Sequence, residues 1–196
     1  MQKHSVHGFI FDLDGTLVHS HLNFAWLRQQ LGCPDDQDLL TYVDKLNSRE
    51  KAHAQKVIEN HEWEDAQQAP LLAGAQTLLQ QLPQERTAIV TRNCRAAAQE
   101  KLRHNDIRVD QLLTREDAIP KPAPDALLQV AERWQLHPET CIYIGDYRYD
   151  IEAANRAGMI SCLLVEEDAE LPTYHQQADI IIRRLDHLLE HLGEPV

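Results

Sequence analysis

Residues 7–16 read HGFIFDLDGT, an apolar run that ends in two aspartates separated by one residue and followed by Gly-Thr. The run predicts a short buried strand over residues 8–13, which ends where the Gly-Thr pair favours a turn. Because an unpaired buried charge is costly, Asp12 and Asp14 must reach solvent or find partners. The two carboxylates therefore mark a candidate functional site at the end of this strand.

Beyond residue 70 the sequence alternates between strand and helix patterns, which predicts a sheet of parallel strands covered by helices on both faces. The predicted fold class is therefore α/β, with a Rossmann-like core. The strands are expected near residues 86–91, 112–113, 141–144, 160–165 and 178–182, and the helices near 74–82, 95–104, 124–135, 150–157 and 185–192.

One stretch interrupts that alternation directly after the first strand. Between residues 22 and 69 the apolar residues recur at helical spacing in three groups, separated by a Gly-Cys-Pro-Asp break at residues 32–35. We therefore predict a core domain formed by residues 1–20 and 70–196, with a small α-helical subdomain inserted at residues 21–69.

Composition limits the classes of partner. The chain has 196 residues, of which 43% are hydrophobic and 26% charged, and its net charge is −12. That charge disfavours binding to nucleic acid or to an anionic membrane, since both require a basic surface. A small anionic substrate remains compatible, because a bound metal and a few basic side chains set the local field.

The compartment is predicted from the cysteines and from the absence of targeting signals. Four widely spaced cysteines form no CxxC or zinc pattern, the first residues lack a signal-peptide core, and no apolar run is long enough to span a bilayer. We expect a cytoplasmic protein with reduced thiols.

Polar residues follow several predicted strands at the same end. Thr91 ends the second strand and Arg92 comes next, Asp146 and Asp150 follow the strand at residues 141–144, and Lys121 lies in the loop after the short third strand. Ligands of open α/β sheets bind at the carboxyl ends of the strands. These side chains are therefore expected to converge with the two aspartates of the first strand.

The set has the chemistry of phosphoryl transfer. One carboxylate can attack phosphorus, and a carboxyl group two residues later can protonate the leaving oxygen and then activate water. Further carboxylates suit Mg²⁺, while Thr91 and Lys121 can hold phosphoryl oxygens. The residues predict that Asp12 and Asp14 share a metal-bound phosphoryl site.

The same residues resemble the haloacid dehalogenase superfamily of phosphatases, in particular the branch of phosphoglycolate phosphatases with a helical cap. DLDGT at residues 12–16 resembles the first motif of that family, Thr91 the second, Lys121 the third and GDYRYD at residues 145–150 the fourth. The resemblance extends from residue 8 to about residue 165. It implies that the inserted helices form a cap over the site.

The resemblance also implies a role for each residue. Asp12 would be the nucleophile and Asp14 the general acid/base, with Thr91 and Lys121 as further catalytic groups. Mg²⁺ would be bound by Asp12, by the backbone carbonyl of Asp14 and by Asp146, with Asp150 supporting the metal or the lysine. The implied activity is Mg²⁺-dependent hydrolysis of a small phosphorylated metabolite, similar to phosphoglycolate, through an aspartyl-phosphate intermediate.

Two other functions fit the pattern. A phosphomutase would return the phosphoryl group to its substrate, and a non-catalytic phosphate-binding or signalling module would be phosphorylated without turnover. Arg92 and Arg148 are candidates for binding a second anionic group of the substrate, while Asp150 also fits the N-cap of the next helix. The sequence leaves the natural substrate and the oligomeric state open.

Two other residue groups are assigned to roles outside the site. His19 and His21 are spaced like a metal-binding pair, but we expect them to be solvated. Trp26, Trp63 and Trp134 fall on predicted helices, where packing is a more common role than substrate stacking.

Overall fold

A six-stranded parallel sheet organises the chain in the computed structural model, which describes residues 5–192. The spatial order of the strands is β3-β2-β1-β4-β5-β6, and every neighbouring pair is parallel. This confirms the predicted Rossmann-like α/β fold. The strands are β1 (Gly8–Phe11), β2 (Thr87–Val90), β3 (Gln111–Leu113), β4 (Cys141–Gly145), β5 (Ile160–Leu164) and β6 (Ile180–Ile182).

The central strands are apolar because both of their faces are buried. On β1, Phe9 and Phe11 join the apolar cluster on one face of the sheet, whereas Ile10 joins the cluster on the other. Consecutive side chains of a strand point to opposite faces, so a strand covered on both sides carries an uninterrupted apolar run. That burial explains why GFIF contains no polar side chain before Asp12.

Helices cover both faces of the sheet. Helix α4 (Ala75–Gln81), helix α5 (Arg95–His104) and a 3₁₀ segment at Leu185–Glu190 contribute to the cluster on one face. Helix α6 (Asp125–Trp134) and helix α7 (Arg148–Ala157) contribute to the cluster on the other.

The last predicted helix is the main difference within the core. Residues 185–192 were expected to be α-helical, but Leu185–Glu190 is a 3₁₀ helix. A 3₁₀ helix has three residues per turn, so Leu185 and Leu188 lie on one face, and both are fully buried against the sheet. Four strands (β1, β2, β5 and β6) are one or two residues shorter than predicted, and β3 and β4 are one residue longer.

The inserted stretch is helical, as expected, and we call it the helical block. It comprises α1 (Phe24–Leu31), α2 (Leu39–Asp44) and α3 (Ser48–Ala66). It has an apolar cluster of its own, separate from the two sheet clusters and formed by Leu27, Cys33, Leu39, Val43, Ala54 and Ile58. The predicted bounds of residues 21–69 enclose these helices, while residues 1–4 and 193–196 of the predicted core lie outside the described range.

The two crossings between the core and the helical block run side by side. Val18 pairs with Leu71 in an antiparallel bridge. The backbone N–H of His19 donates to the carbonyl of Pro70 at 2.8 Å, and the N–H of Leu72 donates to the carbonyl of Leu17 at 2.9 Å. The chain therefore leaves the core and returns to it at one place.

The tryptophans divide between core and surface. Trp134 is 6% exposed and its indole N–H donates to the Asp110 carboxylate at 2.7 Å, which agrees with the packing role. Trp26 and Trp63 are 40% and 42% exposed, and the ring of Trp26 lies 5.2 Å from that of His61 on α3, a contact within the helical block. Their helices turn these positions away from the apolar cluster of the block.

All four cysteines are buried, and none of them forms a disulfide bond. Within residues 5–192, no helix combines the length and apolar character needed to cross a membrane.

Candidate active site

The strand order reverses between β1 and β4, and the predicted site residues meet at that point. Asp12, Thr91 and Asp146 are each the first residue after a strand, namely β1, β2 and β4. The N–H of Asp12 continues the pairing by donating to the carbonyl of Ile144 at 2.8 Å. Since the three strands are adjacent and parallel, their side chains emerge at one edge of the sheet.

Three carboxyl groups form the centre of the site. Oxygen atoms of Asp12, Asp146 and Asp150 lie within 4.8 Å of one another. Burial raises the pKa of Asp12 to about 7, opposed by the ammonium of Lys121 and reinforced by the charge of Asp150. Burial, with the charges of Asp150 and Asp12, likewise raises the pKa of Asp146 well above its ordinary value. The carboxyl groups at the sheet edge therefore disfavour one another's ionisation, which a bound cation would offset.

Lys121 is the cation of this cluster. Its Nζ lies 2.8 Å from Oδ1 of Asp12 and 2.6 Å from Oδ1 of Asp150, and it donates to the hydroxyl of Tyr143 at 2.7 Å. Burial lowers the pKa of Lys121, but the two carboxylates raise it by a larger amount, so its pKa lies above the ordinary value for lysine. Only 2% of the Lys121 side chain is exposed, and its ammonium group remains charged between the two carboxylates.

Asp150 serves the helix as well as the lysine. It is the third residue of α7, and its Oδ2 accepts the backbone N–H of Tyr147 at 2.9 Å. The residue that precedes the helix is Tyr147, so Asp150 stabilises the first turn from inside the helix and not as its N-cap. Both of its oxygens are thus engaged by the protein.

The Gly-Thr pair of the first motif holds Asp146. Thr16 donates its hydroxyl to Oδ1 of Asp146 at 3.1 Å. Gly15 has a φ of +74°, and a Cβ there would lie 2.7 Å from Cγ of Asp146. Glycine is therefore required for the close approach as well as for the left-handed backbone.

Asp14 points to a different set of partners. Its Oδ1 is paired with Lys101 and its Oδ2 accepts the side-chain amide of Asn93. Asn93 also donates through that amide to the hydroxyl of Thr91 at 3.0 Å, which links the two predicted catalytic residues. The carboxyl of Asp14 is outside the three-carboxylate cluster, and the predicted metal contact through its backbone carbonyl stays a prediction.

Lys101 is a charged residue of the site that the motifs did not reveal. Its side chain is 0% exposed and lies between Asp14 and Asp65 of α3, whose Oδ2 is 2.7 Å away. Burial lowers its pKa and the two carboxylates raise it, with a net upward shift. The helical spacing of the sequence could have indicated the burial of Lys101, because Lys101 shares one face of α5 with the buried Ala97 and Ala98.

A cavity of about 410 Å³ lies above these groups, between the sheet edge and the helical block. Arg92 lines it, but one guanidinium nitrogen is 2.7 Å from Oδ2 of Asp38 and the group lies over the ring of Tyr149 at 5.0 Å. The predicted candidate Arg148 is not among the lining residues, and half of its side chain is exposed beside Glu152. The apolar lining residues come from the block and the chain leading into it, namely Leu22, Phe24, Leu27, Leu39, Leu40 and Ile58.

The carboxylate cluster fits a divalent metal ion. Its donors are all oxygen atoms, which suits Mg²⁺ and similar hard cations. Asp12 and Asp146 are the better ligands, since both oxygens of Asp150 already accept hydrogen bonds. A cation at this position would also reverse the upward pKa shifts of the two carboxyl groups. His19 and His21 are exposed and lie outside the cluster.

The chain matches a known protein family over the residues that form this site. Residues 9–164 match the haloacid dehalogenase-like hydrolase family. The chain belongs to that family. The match includes all the predicted site residues and agrees with the resemblance inferred from DLDGT and GDYRYD.

Individual relatives and solved structures resemble this chain over different lengths. An uncharacterised hydrolase of Saccharomyces cerevisiae is 28% identical over 199 aligned positions, covering 96% of this chain and 91% of that protein. The phosphoglycolate phosphatase of Escherichia coli K12 is 40% identical over 80 residues, which cover 38% of this chain and 30% of the phosphatase. A solved structure from Lactobacillus plantarum, provisionally named a phosphoglycolate phosphatase, superposes with a TM-score of 0.76 at 23% identity, covering 97% of this chain and 100% of that one.

Proposed function

We propose that this haloacid dehalogenase-like hydrolase is a Mg²⁺-dependent phosphomonoesterase that acts through an aspartyl-phosphate intermediate on Asp12. The observation that carries the proposal is the contact of Lys121 with Asp12, beside two further carboxylates whose oxygens lie within 4.8 Å of it. A divalent cation would balance the charge of these carboxylates and, together with Lys121, that of an incoming phosphoryl group.

In the first step Asp12 attacks phosphorus. Lys121 holds Oδ1 of Asp12, which leaves the other oxygen to form the new bond to phosphorus. The bond between phosphorus and the ester oxygen breaks, and protonated Asp14 gives its proton to that oxygen, so the alcohol leaves as a neutral molecule.

In the second step water cleaves the intermediate. Asp14, now ionised, accepts a proton from water as the water oxygen attacks phosphorus. The bond from phosphorus to Asp12 breaks, which restores the Asp12 carboxylate and releases inorganic phosphate. The same residue thus acts as acid and then as base, and the protons balance over one turnover.

In this proposal Thr91 and Lys121 would bind the phosphoryl oxygens, and Lys121 would exchange one of its contacts with Asp12, Asp150 or Tyr143 for a phosphoryl oxygen. The hydroxyl oxygen of Thr91 accepts two hydrogen bonds from Asn93, one from the backbone N–H at 3.2 Å and one from the side-chain amide at 3.0 Å. The hydroxyl proton of Thr91 is therefore free to donate to a phosphoryl oxygen. Asp12 and Asp146 would hold Mg²⁺, whose charge neutralises the transferring phosphoryl group.

The substrate in this proposal is a small phosphorylated metabolite enclosed by the helical block acting as a cap. Phosphoglycolate is the first compound to test, because two relatives carry phosphoglycolate phosphatase names. The cavity of about 410 Å³ admits larger esters as well, so a panel of phosphorylated sugars and acids belongs in the same screen.

The test is phosphate release from an aryl phosphate with Mg²⁺, with chelator, and after Asp12→Asn. Turnover that requires metal and is lost with Asp12→Asn is the expected result. Asp106→Asn is the matched control, since it makes the same chemical change at a residue whose side chain is 83% exposed.

Other outcomes separate the alternatives. Phosphoryl transfer between hydroxyls of one sugar, with little free phosphate, would make the protein a mutase. A single phosphorylation without turnover would indicate a signalling module. Either result would contradict the phosphatase proposal.

A further inference from the structure

Lys101 is a fully buried cation that the proposed chemistry does not use. It is 0% exposed on α5 and pairs with two carboxylates from different parts of the chain, Asp14 of the site and Asp65 of α3. Burying an ammonium group requires such partners, because its desolvation is otherwise uncompensated. One of those partners is the predicted acid/base.

The position of Lys101 determines where Asp14 can point. Lys101 holds Oδ1 of Asp14 from the buried side of the site, and Asn93 holds Oδ2. The carboxyl group lines the cavity, with 18% of the side chain exposed. With each oxygen anchored, the carboxyl has one orientation relative to the substrate space.

The second partner of Lys101 connects this orientation to the helical block. Asp65 accepts the backbone N–H of His21 at 2.7 Å and the hydroxyl of Ser20 at 3.3 Å, in the segment that leads from the core into the block. Asp65 therefore contacts both the crossing segment and the lysine that holds Asp14. Moving α3 away would remove one of the two anchors of Lys101.

We infer that Lys101 is a positioning residue that orients Asp14 for proton transfer to and from the substrate. The contact of Asp65 on α3 with Lys101 maintains this orientation. The inference rests on the proposed function, since it assigns Lys101 a part in the same reaction. It differs from a purely structural role, in which the buried pair would hold α3 against α5 without affecting proton transfer.

The two roles predict different dependence on the leaving group. A para-nitrophenolate leaves without protonation near neutral pH, whereas an alkoxide requires a proton from the general acid. The value of kcat/KM reports the first step, in which the alcohol leaves, so misplacing Asp14 should lower kcat/KM of alkyl phosphates far more than that of aryl phosphates. The value of kcat should fall for both esters wherever the second step, in which Asp14 activates water, limits turnover. A general loss of structure would lower kcat/KM of both esters to the same extent.

The experiment compares kcat and KM for para-nitrophenyl phosphate and butyl phosphate in wild type, Lys101→Met, Asp14→Asn and the double variant. Lys101→Met should lower kcat/KM for butyl phosphate by about 10²-fold, the lower range of a general-acid contribution. The kcat/KM for the aryl ester should change by less than about threefold, because its leaving group needs no proton. The double variant should equal Asp14→Asn, because Lys101 acts through that carboxyl.

Controls separate positioning from folding. Lys101→Gln keeps hydrogen-bond donors near both carboxylates and should show a smaller loss in the same direction, and it carries the test if Lys101→Met does not fold. Arg115→Met is the matched control, because Arg115 pairs with Glu62 of α3 at 2.5 Å without contacting Asp14. It should leave the ratio of alkyl to aryl activity unchanged.

Several results would overturn the inference while leaving the phosphatase proposal intact. These are equal losses of kcat/KM on both esters in Lys101→Met and Lys101→Gln, unchanged kcat/KM on both, or a double variant that loses much more than Asp14→Asn. Absence of metal-dependent turnover of either ester by the wild type would instead reject the proposed function, and the inference with it.

Discussion

Replacing Gly15 by alanine should both destabilise the protein and weaken metal binding. Gly15 has a φ of +74°, and an added Cβ would lie 2.7 Å from Cγ of Asp146, whereas ordinary contact begins near 3.4 Å. Asp146 must therefore move, and its hydrogen bond from Thr16 at 3.1 Å would be lost. Gly158 provides a matched control, because its φ is +72° and a Cβ there would meet nothing within 4 Å.

The two substitutions share one cost and differ in the other. A side chain in the left-handed region costs about 1–2 kcal/mol, which Gly158→Ala and Gly15→Ala should both show. Losing the hydrogen bond to Asp146 adds about 1 kcal/mol for Gly15→Ala. Displacing a carboxylate of the proposed metal site should also weaken Mg²⁺ binding by about 10–100-fold, the range found when the partners that orient a ligand are removed.

Urea unfolding of the metal-free protein measures the stability difference, and isothermal titration calorimetry measures Mg²⁺ affinity. We expect Gly15→Ala to be the less stable variant and the only one of the two with weakened Mg²⁺ binding. Equal free energies of unfolding in the two variants, together with equal affinities for Mg²⁺, would refute the assignment of Gly15 as the residue that makes room for Asp146.

Three further predictions concern charge and burial. Lys121→Met leaves two buried carboxylates without their cation, so urea unfolding of the metal-free variant should show a loss of about 3–5 kcal/mol, and a loss below about 1 kcal/mol would contradict this. The second prediction concerns Asp38. Burial alone would raise the pKa of its carboxyl, but Arg92 and local hydrogen bonds outweigh burial and lower that pKa below 3.8. This partly buried ion pair contributes about 0.5–1 kcal/mol of stability, which is present above pH 3.8 and lost as the pH falls through the pKa of folded Asp38. The free energies of urea unfolding of wild type and Asp38→Asn should therefore differ at neutral pH and converge in acid. Burial raises the pKa of Cys94 and Cys141 to about 11, so iodoacetamide at neutral pH should label these thiols only after unfolding, as followed by mass spectrometry, and rapid labelling of the native protein would count against their burial.

The sequence predicts the sheet edge well because the relevant signals are local. Asp12, Thr91 and Asp146 each follow a short apolar strand, and parallel strands bring their carboxyl ends together whatever the helices between them do. The predicted α/β fold and the family are confirmed on this basis. The catalytic and metal-binding roles of these residues stay predictions.

Features that depend on packing between distant elements were not predictable in the same way. A lysine in the middle of a helix normally faces solvent, so Lys101 gave no motif, and its burial depends on how α3 lies against α5. The direction of the Asp14 side chain follows from that packing too. The engagement of Arg92 by Asp38 likewise joins residues 54 positions apart, which no local pattern records.

The paired crossings at Val18 and Leu71 have a consequence for how such enzymes diversify. Because the two ends of the inserted segment are adjacent, a different insert can replace it without rerouting the backbone of the sheet. The separate apolar cluster of the helical block means that most of its interior can vary while the β1 to β4 edge keeps its carboxylates. Evolution or laboratory recombination can thus exchange the helical block and retain the sheet edge with its carboxylates.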